Sequence, residues 1–418
     1  MQNTGRTTVL RNILFGVVLV ALGSVLGYQV RERGTFATLV HQPQQLLTLK
    51  GTEQPTEFKD VNFQEFWEVW KILEQNYVDP SKVKSDQMVY GAIKGMTASL
   101  GDPYTLFLPP TEQKRSAEDL SGSFYGVGIE LGYVDSTLAV QSPLPDSPAA
   151  KAGIQAKDLI IHVKDDKIDS DTSGWTLVDA VDKIRGDKGS KVTLTLFRKD
   201  YNNNQPFTVV LERGEIVVPS AKVEYIQDNG KKVAHITLTR FGERTNAEMD
   251  TIIKDISSQN PKVDGIVLDM RNNPGGFLDD AISISSEFVK SGTIVTQKGK
   301  YTSKDYPSNG SARLANYPVV VVVNGGSASA AEITAGALRD DRGAELVGEK
   351  SFGKGTVQDA MTLEDGSGLH VTIAKWLLPK GDWISGTGIP VNVEVKDDPS
   401  TPADEVLQKA ADEVLKTK

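Results

Sequence analysis

The chain has 418 residues, 39% hydrophobic and 24% charged, so it is long enough for more than one domain and a large buried core. Its 55 Asp and Glu outnumber 46 Lys and Arg, giving a net charge of −9 that argues against a nucleic-acid partner, and no basic stripe with interleaved aromatics occurs. The absence of cysteine excludes disulfides, thiolate metal sites and cysteine nucleophiles together, without fixing the compartment.

Between Arg11 and Arg31 the chain carries no charge and is mostly Ile, Leu, Val, Ala and Gly. This stretch approaches the ~20 residues that cross a hydrocarbon core. We read residues 1–31 as a signal anchor, a single pass through the cell membrane with the body extracytoplasmic. A cleaved signal, giving a secreted or periplasmic protein, is the alternative, although Ala21-Leu22-Gly23 makes a poor cleavage site. Residues 32–61 are polar and read as a tether. Over 62–120 the pattern is helical: Phe63, Phe66, Trp67, Trp70, Leu73 and Tyr77 recur at three- and four-residue spacing. Asp79-Pro80 stops this helix, and a second is expected over Met88–Leu100, ahead of Gly101-Asp102-Pro103. The aromatic stripe is either core packing or a dimer contact, so a homo-oligomer stays open.

Residues 121–214 read as short strands (Leu138–Gln141, Leu159–Val163, Val192–Phe197) around one helix, Trp175–Ile184. In Tyr125-Gly126-Val127-Gly128-Ile129 two glycines flank one apolar residue, which lets successive amides turn toward one point, a nest for a peptide's terminal carboxylate. Gly-x-Gly alone is weak. With Ser147-Pro148-Ala149-Ala150-Lys151-Ala152-Gly153-Ile154, Asp158-Leu159-Ile160 and Ile184-Arg185-Gly186 the segment resembles a PDZ domain. The resemblance implies that a peptide C-terminus lies beside a strand and helix, held at Gly126, Val127, Gly128 and Ile129. Lys157 departs from the glycine usual before the Asp.

Residues 215–398 repeat a strand–loop–helix grammar. Ile266–Met270 runs into Arg271-Asn272-Asn273-Pro274-Gly275-Gly276 and the helix Leu278–Val289; Val319–Val323 runs into Asn324–Ala328 and the helix Ser329–Leu338. Short, fully apolar strands alternating with helices indicate an α/β layer with two glycine-rich turns at equivalent edges. Residues 399–418 hold a final amphipathic helix, Ala403–Leu415.

Ser329, at the start of a helix, sits where amides and the positive dipole end favour the negative charge of an attacked carbonyl. It also sits where serine commonly caps a helix, and Ser327 is the better cap by position. Lys354, between Gly353 and Gly355, is a solvated loop lysine or a base whose ordinary pKa, about 10.4, must be lowered by burial. Gly348–Gly355 nearly spells a phosphate-binding loop, but its last position is Gly355 rather than Ser or Thr, and the alternating Thr356–Leu363 reads as a strand where a helix is required. His41, His162, His235 and His370 form no nucleophile–base motif and no metal pair. No metal or other cofactor is expected.

Four ordered segments, Gly101-Asp-Pro-Tyr-Thr105, Leu268-Asp-Met-Arg-Asn-Asn-Pro-Gly-Gly276, Ser327–Ile333 and Ser351-Phe-Gly-Lys-Gly-Thr-Val-Gln358, make the chain similar to the carboxyl-terminal processing peptidases, or tail-specific proteases, over about Phe63 to Val395. The resemblance implies a serine endopeptidase acting on proteins or peptides with free C-termini. It gives Ser329 as nucleophile, Lys354 as general base, Gln358 positioning the lysine, and the amides of Gly275 and Ala330 as oxyanion hole, with Gly276 as alternative. It further implies a crotonase-like α/β peptidase core with the PDZ domain inserted, behind an N-terminal helical arm and the membrane anchor. A PDZ arginine couples tail binding to the active site in such enzymes, and Arg185 is the candidate here. Ala331 replaces a common serine, and Val391-Asn392 stands where Pro-Asp is usual. Gln358 raises a difficulty, because positions i and i+4 of a straight strand lie about 13 Å apart, so contact with Lys354 needs a bend at Gly353 and Gly355. A catalytically dead PDZ adaptor and a crotonase-type acyl-CoA enzyme are the rival readings.

Overall fold

The computed structural model describes residues 60–228, 230–398 and 400–416. The expected anchor and nearly all of the tether lie outside them. Among the described residues no helix is long and apolar enough to cross a membrane.

The chain divides into two units at Val83. In the first, α1 (Gln64–Asn76) carries the aromatic stripe, with Phe66 and Trp67 rings 5.0 Å apart and Trp67 61% exposed. A short 3₁₀ turn, Pro80–Lys82, follows, and the Asp79 carboxylate caps it by accepting from Ser81 N.

The second unit opens with α2 (Ser85–Ala98), which starts before and stops short of the expected Met88–Leu100. Next come the turn at 101–105, the strand β1 (Leu106–Leu108) and α3 (Pro110–Ser121), closed by left-handed Gly122. β2 (Ser123–Gly126) leads into a sheet built from β3 (Ile129–Val134), β4 (Thr137–Pro143), β5 (Leu159–Lys164), β6 (Asp169–Asp171), β7 (Lys191–Phe197) and β8 (Phe207–Glu212). The turn-like α4 (Pro148–Lys151) and the helix α5 (Leu177–Ile184) interrupt these strands. The order is β3-β4-β5-β7-β8, so β3 is an edge strand, and α5 packs against it. α5 starts at a capping box in which Thr176 Oγ1 accepts from Asp179 N and Asp179 Oδ2 accepts from Thr176 N. Lys157, the departure noted in the sequence, has φ 72°, the left-handed backbone that explains glycine as the usual residue there.

β9 (Gly214–Val217) returns to pair with β2, and the main sheet begins with β10 (Ala221–Asp228) and β11 (Lys231–Leu238). α6 (Thr245–Ser258), β12 (Gly265–Asp269), α7 (Leu278–Phe288), β13 (Thr293–Gly299), β14 (Ser303–Pro307) and β15 (Val319–Val323) follow. Then come α8 (Ala330–Arg342), β16 (Glu345–Gly348), β17 (Thr356–Thr362), β18 (Gly368–Leu377), β19 (Val393–Glu394) and α9 (Glu405–Lys416). The main sheet has the order β10-β11-β12-β15-β16-β19, parallel from β11 onward. A second sheet, β1-β18-β13-β14, carries β17 on β18.

The five-valine strand is buried on both faces. Val319, Val321 and Val323 join the core built with α6, α7 and α8, while Val320 and Val322 meet Val406, Ala410 and Val414 of α9. That two-sided burial explains why β15 shows no polar alternation. Asn392, where Asp is usual, accepts Leu346 N at Oδ1 and donates its own N–H to Leu346 O, fixing the chain on β16.

Candidate active site

Because β12 and β15 are adjacent and parallel, the loops after them leave the same sheet edge. They are zipped together. Asn324 Oδ1 accepts from Asn272 N, Asn324 Nδ2 donates to Asn272 Oδ1, and Ala328 N donates to Asn273 O. Ser327, the better cap by position, instead sends its hydroxyl to Met270 O at 2.8 Å. The helix starts one residue later than expected, with Ser329 at its N-cap. Gly275 is forced by proximity: a Cβ there would lie 2.7 Å from Ser329 Cβ and 2.9 Å from Ala330 N. The two loops therefore bring Gly275, Ser329 and Ala330 together.

Ser329 has φ 55° and ψ −116°, a conformation that a residue with a side chain holds only at a cost of about 1–3 kcal/mol. Its half-buried hydroxyl carries no hydrogen bond to a charged partner among the described residues, while its N–H donates to Glu332 Oε2 at 2.9 Å. Glu332 is fully buried and accepts three more hydrogen bonds, from Lys354 N at 3.0 Å, Gly353 N at 2.6 Å and Ser351 Oγ at 2.7 Å. One carboxyl thus ties the backbone of Ser329 to that of Lys354. The reading by residue type passed over Glu332, although Ser329-Ala-Ala-Glu332 has the Ser-x-x-Glu spacing that flags such a contact.

Lys354 lies in a loop, not a strand, between Gly353 at φ 91° and Gly355 at φ 67°. A Cβ at Gly353 would meet Gly388 N, and one at Gly355 would meet Ser385. The segment 383–388 holds the loop from outside: Gly386 N donates to Gly353 O and Trp383 Nε1 to Gly355 O. Burial pushes the Lys354 amine below its ordinary pKa, against the pull of Glu332 and Asp102. Its Nζ stands 5.3 Å from the centre of the Tyr104 ring.

Gln358 is not joined to Lys354. β17 starts at Thr356 and bulges between Val357 and Gln358, so the straight-strand separation does not apply. Gln358 Nε2 donates to Thr356 Oγ1 and Thr372 Oγ1, and among the described residues no hydrogen bond links Lys354 Nζ to Gln358 or to Ser329 Oγ. The oxyanion candidates also differ among themselves. Gly275 N–H is taken by Asn273 Oδ1 at 2.9 Å, whereas the amides of exposed Gly276 and of Ala330 donate to no described residue.

In the 121–214 segment, Gly126, Val127 and Gly128 are buried and Ile129, the first residue of β3, is half-buried. Val127 enters the local core, and Gly128 O accepts from Leu144 N and Ser147 Oγ, so the Ser147–Ile154 segment braces the loop. Arg185 caps α5, lies 3.8 Å from the centre of the Phe124 ring and pairs with Glu118 of α3 at 3.4 Å. It touches neither Ser329 nor Lys354.

Three family models match the chain: Peptidase family S41 over residues 232–395, a PDZ domain over 115–197, and the activating protease CtpB N-terminal domain over 20–110. Carboxy-terminal processing protease CtpA of Bacillus subtilis is 37% identical over 338 residues, 81% of this chain and 70% of the relative. CtpB of the same organism is 32% identical over 382 residues, 91% of this chain and 77% of the relative. A solved structure from Bacteroides fragilis, described as an S41 protease, superposes with a TM-score of 0.53 at 18% identity, covering 87% of this chain and 98% of that one, which supports the mixed α/β fold. The chain belongs to the carboxy-terminal processing proteases, serine-type peptidases of family S41 that carry a PDZ domain.

Proposed function

We propose that this peptidase recognises the C-terminal tail of its substrates through the PDZ domain and cleaves them with Ser329 as nucleophile and Lys354 as general base. The observation that carries this reading is Glu332, whose single carboxyl holds the backbones of Ser329 and Lys354 at one sheet edge, beside Gly275 and Ala330. Neutral Lys354 Nζ takes the Ser329 hydroxyl proton as Oγ adds to the scissile carbonyl carbon. Ala330 N–H and an amide of the Gly275–Gly276 pair stabilise the oxyanion, Gly276 being the uncommitted one. Collapse breaks the C–N bond, the leaving amine takes the proton from Lys354, and water hydrolyses the acyl-enzyme by the same relay. Partial burial of Lys354 favours the neutral form this needs. Gln358, braced on two threonines, is the proposed positioner of the lysine.

Tail recognition rests on the open edge of β3 beside α5, a strand that an extended peptide can lengthen, with its carboxylate directed to Gly126–Ile129. Arg185 is the proposed relay. Its partner Glu118 is on α3, whose Leu120 O accepts from Glu243 N, and Phe241 N donates to Gly275 O. That line of contacts runs from the PDZ helix to the oxyanion turn. In this reading the core is crotonase-like, the N-terminal anchor leaves the body extracytoplasmic at the membrane, and α1 offers a surface for a second copy.

The test incubates the full chain with a peptide bearing a free or an amidated apolar C-terminus. Tail-dependent cleavage that vanishes in Ser329→Ala and Lys354→Ala is expected; cleavage surviving in Lys354→Ala removes the dyad. Equal turnover of both peptides, in the wild type and in Arg185→Ala, removes the tail-gated reading.

A further inference from the structure

The Gly101–Thr105 turn is one of the four segments that carry the family resemblance, and it holds no member of the proposed dyad. It is held rigidly. Asp102 Oδ1 accepts from Tyr104 N at 3.0 Å, Asp102 Oδ2 accepts from Thr105 Oγ1 at 2.7 Å, and Thr105 Oγ1 in turn accepts from Thr372 N at 3.0 Å. β1, just after the turn, pairs with β18 through Leu106↔His370 and Phe107↔Leu369. Thr372 is therefore shared: its N–H anchors the turn, and its hydroxyl accepts from Gln358 Nε2. The turn delivers the Tyr104 ring to the Lys354 amine, which lies 5.3 Å from the ring centre.

We propose that the Gly101–Thr105 turn is the receptor for the Lys354 side chain, with the Tyr104 ring aiming the amine and the hydrogen-bonded Asp102 carboxylate supplying its counter-charge. Both are positioning residues, acting on substrate only through Lys354. A cation held over an aromatic face is stabilised by the ring's electron density, and an anchored carboxylate adds attraction without needing direct contact. Burial raises the Asp102 carboxyl, but hydrogen bonds from Thr372, Thr105 and two backbone amides outweigh it and hold the group below its ordinary value, so the counter-charge persists across the working range. The groups acting on the amine are Asp102 and Tyr104 from the turn, Glu332 from α8 and His370 from β18, whose own pKa is lowered by burial and by Lys354.

This inference rests on Lys354 being the base. Asp102 and the ring favour the ammonium, so removing either lowers the Lys354 pKa and moves the acid limb of the kcat profile to lower pH. Full chain acting on the free-tailed peptide is assayed across pH as wild type, Asp102→Asn, Tyr104→Leu, Tyr104→Phe and His370→Gln. The limb is expected to move down by about 0.5–1 pH unit in Asp102→Asn and Tyr104→Leu, and to stay in Tyr104→Phe, which keeps the ring, and in His370→Gln. Titrating the Lys354 amine by NMR in Ser329→Ala chain, with and without Asp102→Asn, reads the same shift without turnover. A kcat loss uniform in pH, with limb and amine titration unmoved, overturns the proposal, as does a limb that vanishes in His370→Gln. Retained cleavage in Lys354→Ala would instead sink the dyad itself, so the two failures are separable.

Discussion

At the residue scale, the proposed nucleophile and base were candidates by residue type and position, and the four ordered motifs of the resemblance gave them their roles. By residue type alone Ser329 could equally cap a helix and Lys354 could be a solvated loop lysine, so composition narrowed the choice without making it. Glu332 was not legible in that way. A carboxylate on a helix has a meaning fixed by what folds against it, and here that is the 351–354 loop, which arrives later in the chain. Its four acceptor contacts make a sharp prediction. In Glu332→Gln the amide can satisfy only two of the donors, and its own N–H groups face the rest. We expect at least about a 100-fold loss of kcat and about 2–4 kcal/mol of stability, read by steady-state kinetics and thermal unfolding.

At the element scale, the 383–388 segment acts as a brace on the lysine loop. Gly388 has φ 69°, and a Cβ there would run into Ser351 O. Gly388→Ala is expected to lower kcat by about 100-fold through displacement of Lys354, with KM for a tailed peptide little changed because the PDZ groove is remote in sequence and sheet. A second element carries its own pH dependence. Asp280, in the first turn of α7, is buried with Oδ1 bound by Asn246 and Oδ2 unpartnered among the described residues, and burial pushes its pKa up to about 6. A carboxyl raised on folding binds more protons in the folded state than in the unfolded one, so stability falls as pH rises from about 4 to 6. Asp280→Asn should therefore stabilise the chain at pH 7.5 by about 1–2 kcal/mol and change little at pH 4.5, measured by chemical denaturation. Helices were readable from periodicity, and the valine strand from its unbroken apolar run. Their ends were less so: the N-cap fell on Ser329 because Ser327 was recruited to Met270, a contact between two loops that no local pattern encodes.

At the scale of the whole Lys84–Lys418 unit, the repeated strand–loop–helix grammar foretold that two turns would share an edge, and the adjacency of β12 and β15 realises it. What no local signal announced was long-range pairing, such as β1 joining β18 or α9 covering the far face of the main sheet. Arg271 locks that last contact, since it pairs with Asp269 at its own strand end and bidentately with Asp404 ahead of α9. Burial opposes ionisation of Asp269, yet hydrogen bonds from His235 and Arg271 lower its pKa to about 2. A depressed carboxyl contributes stability that is full above its unfolded value near 4 and is lost as pH falls toward 2. Arg271→Lys, which cannot serve both carboxylates in forked geometry, is expected to lower Tm by about 3–6 °C at pH 7. In calorimetry the gap should shrink toward pH 2–3, where the wild type loses the same contacts.

The positive φ of Ser329 has a consequence for lineages. Glycine would occupy that backbone without strain, so under the proposed nucleophile role a descendant relieved of catalysis would gain stability by the single step Ser329→Gly, a gain that alanine cannot offer.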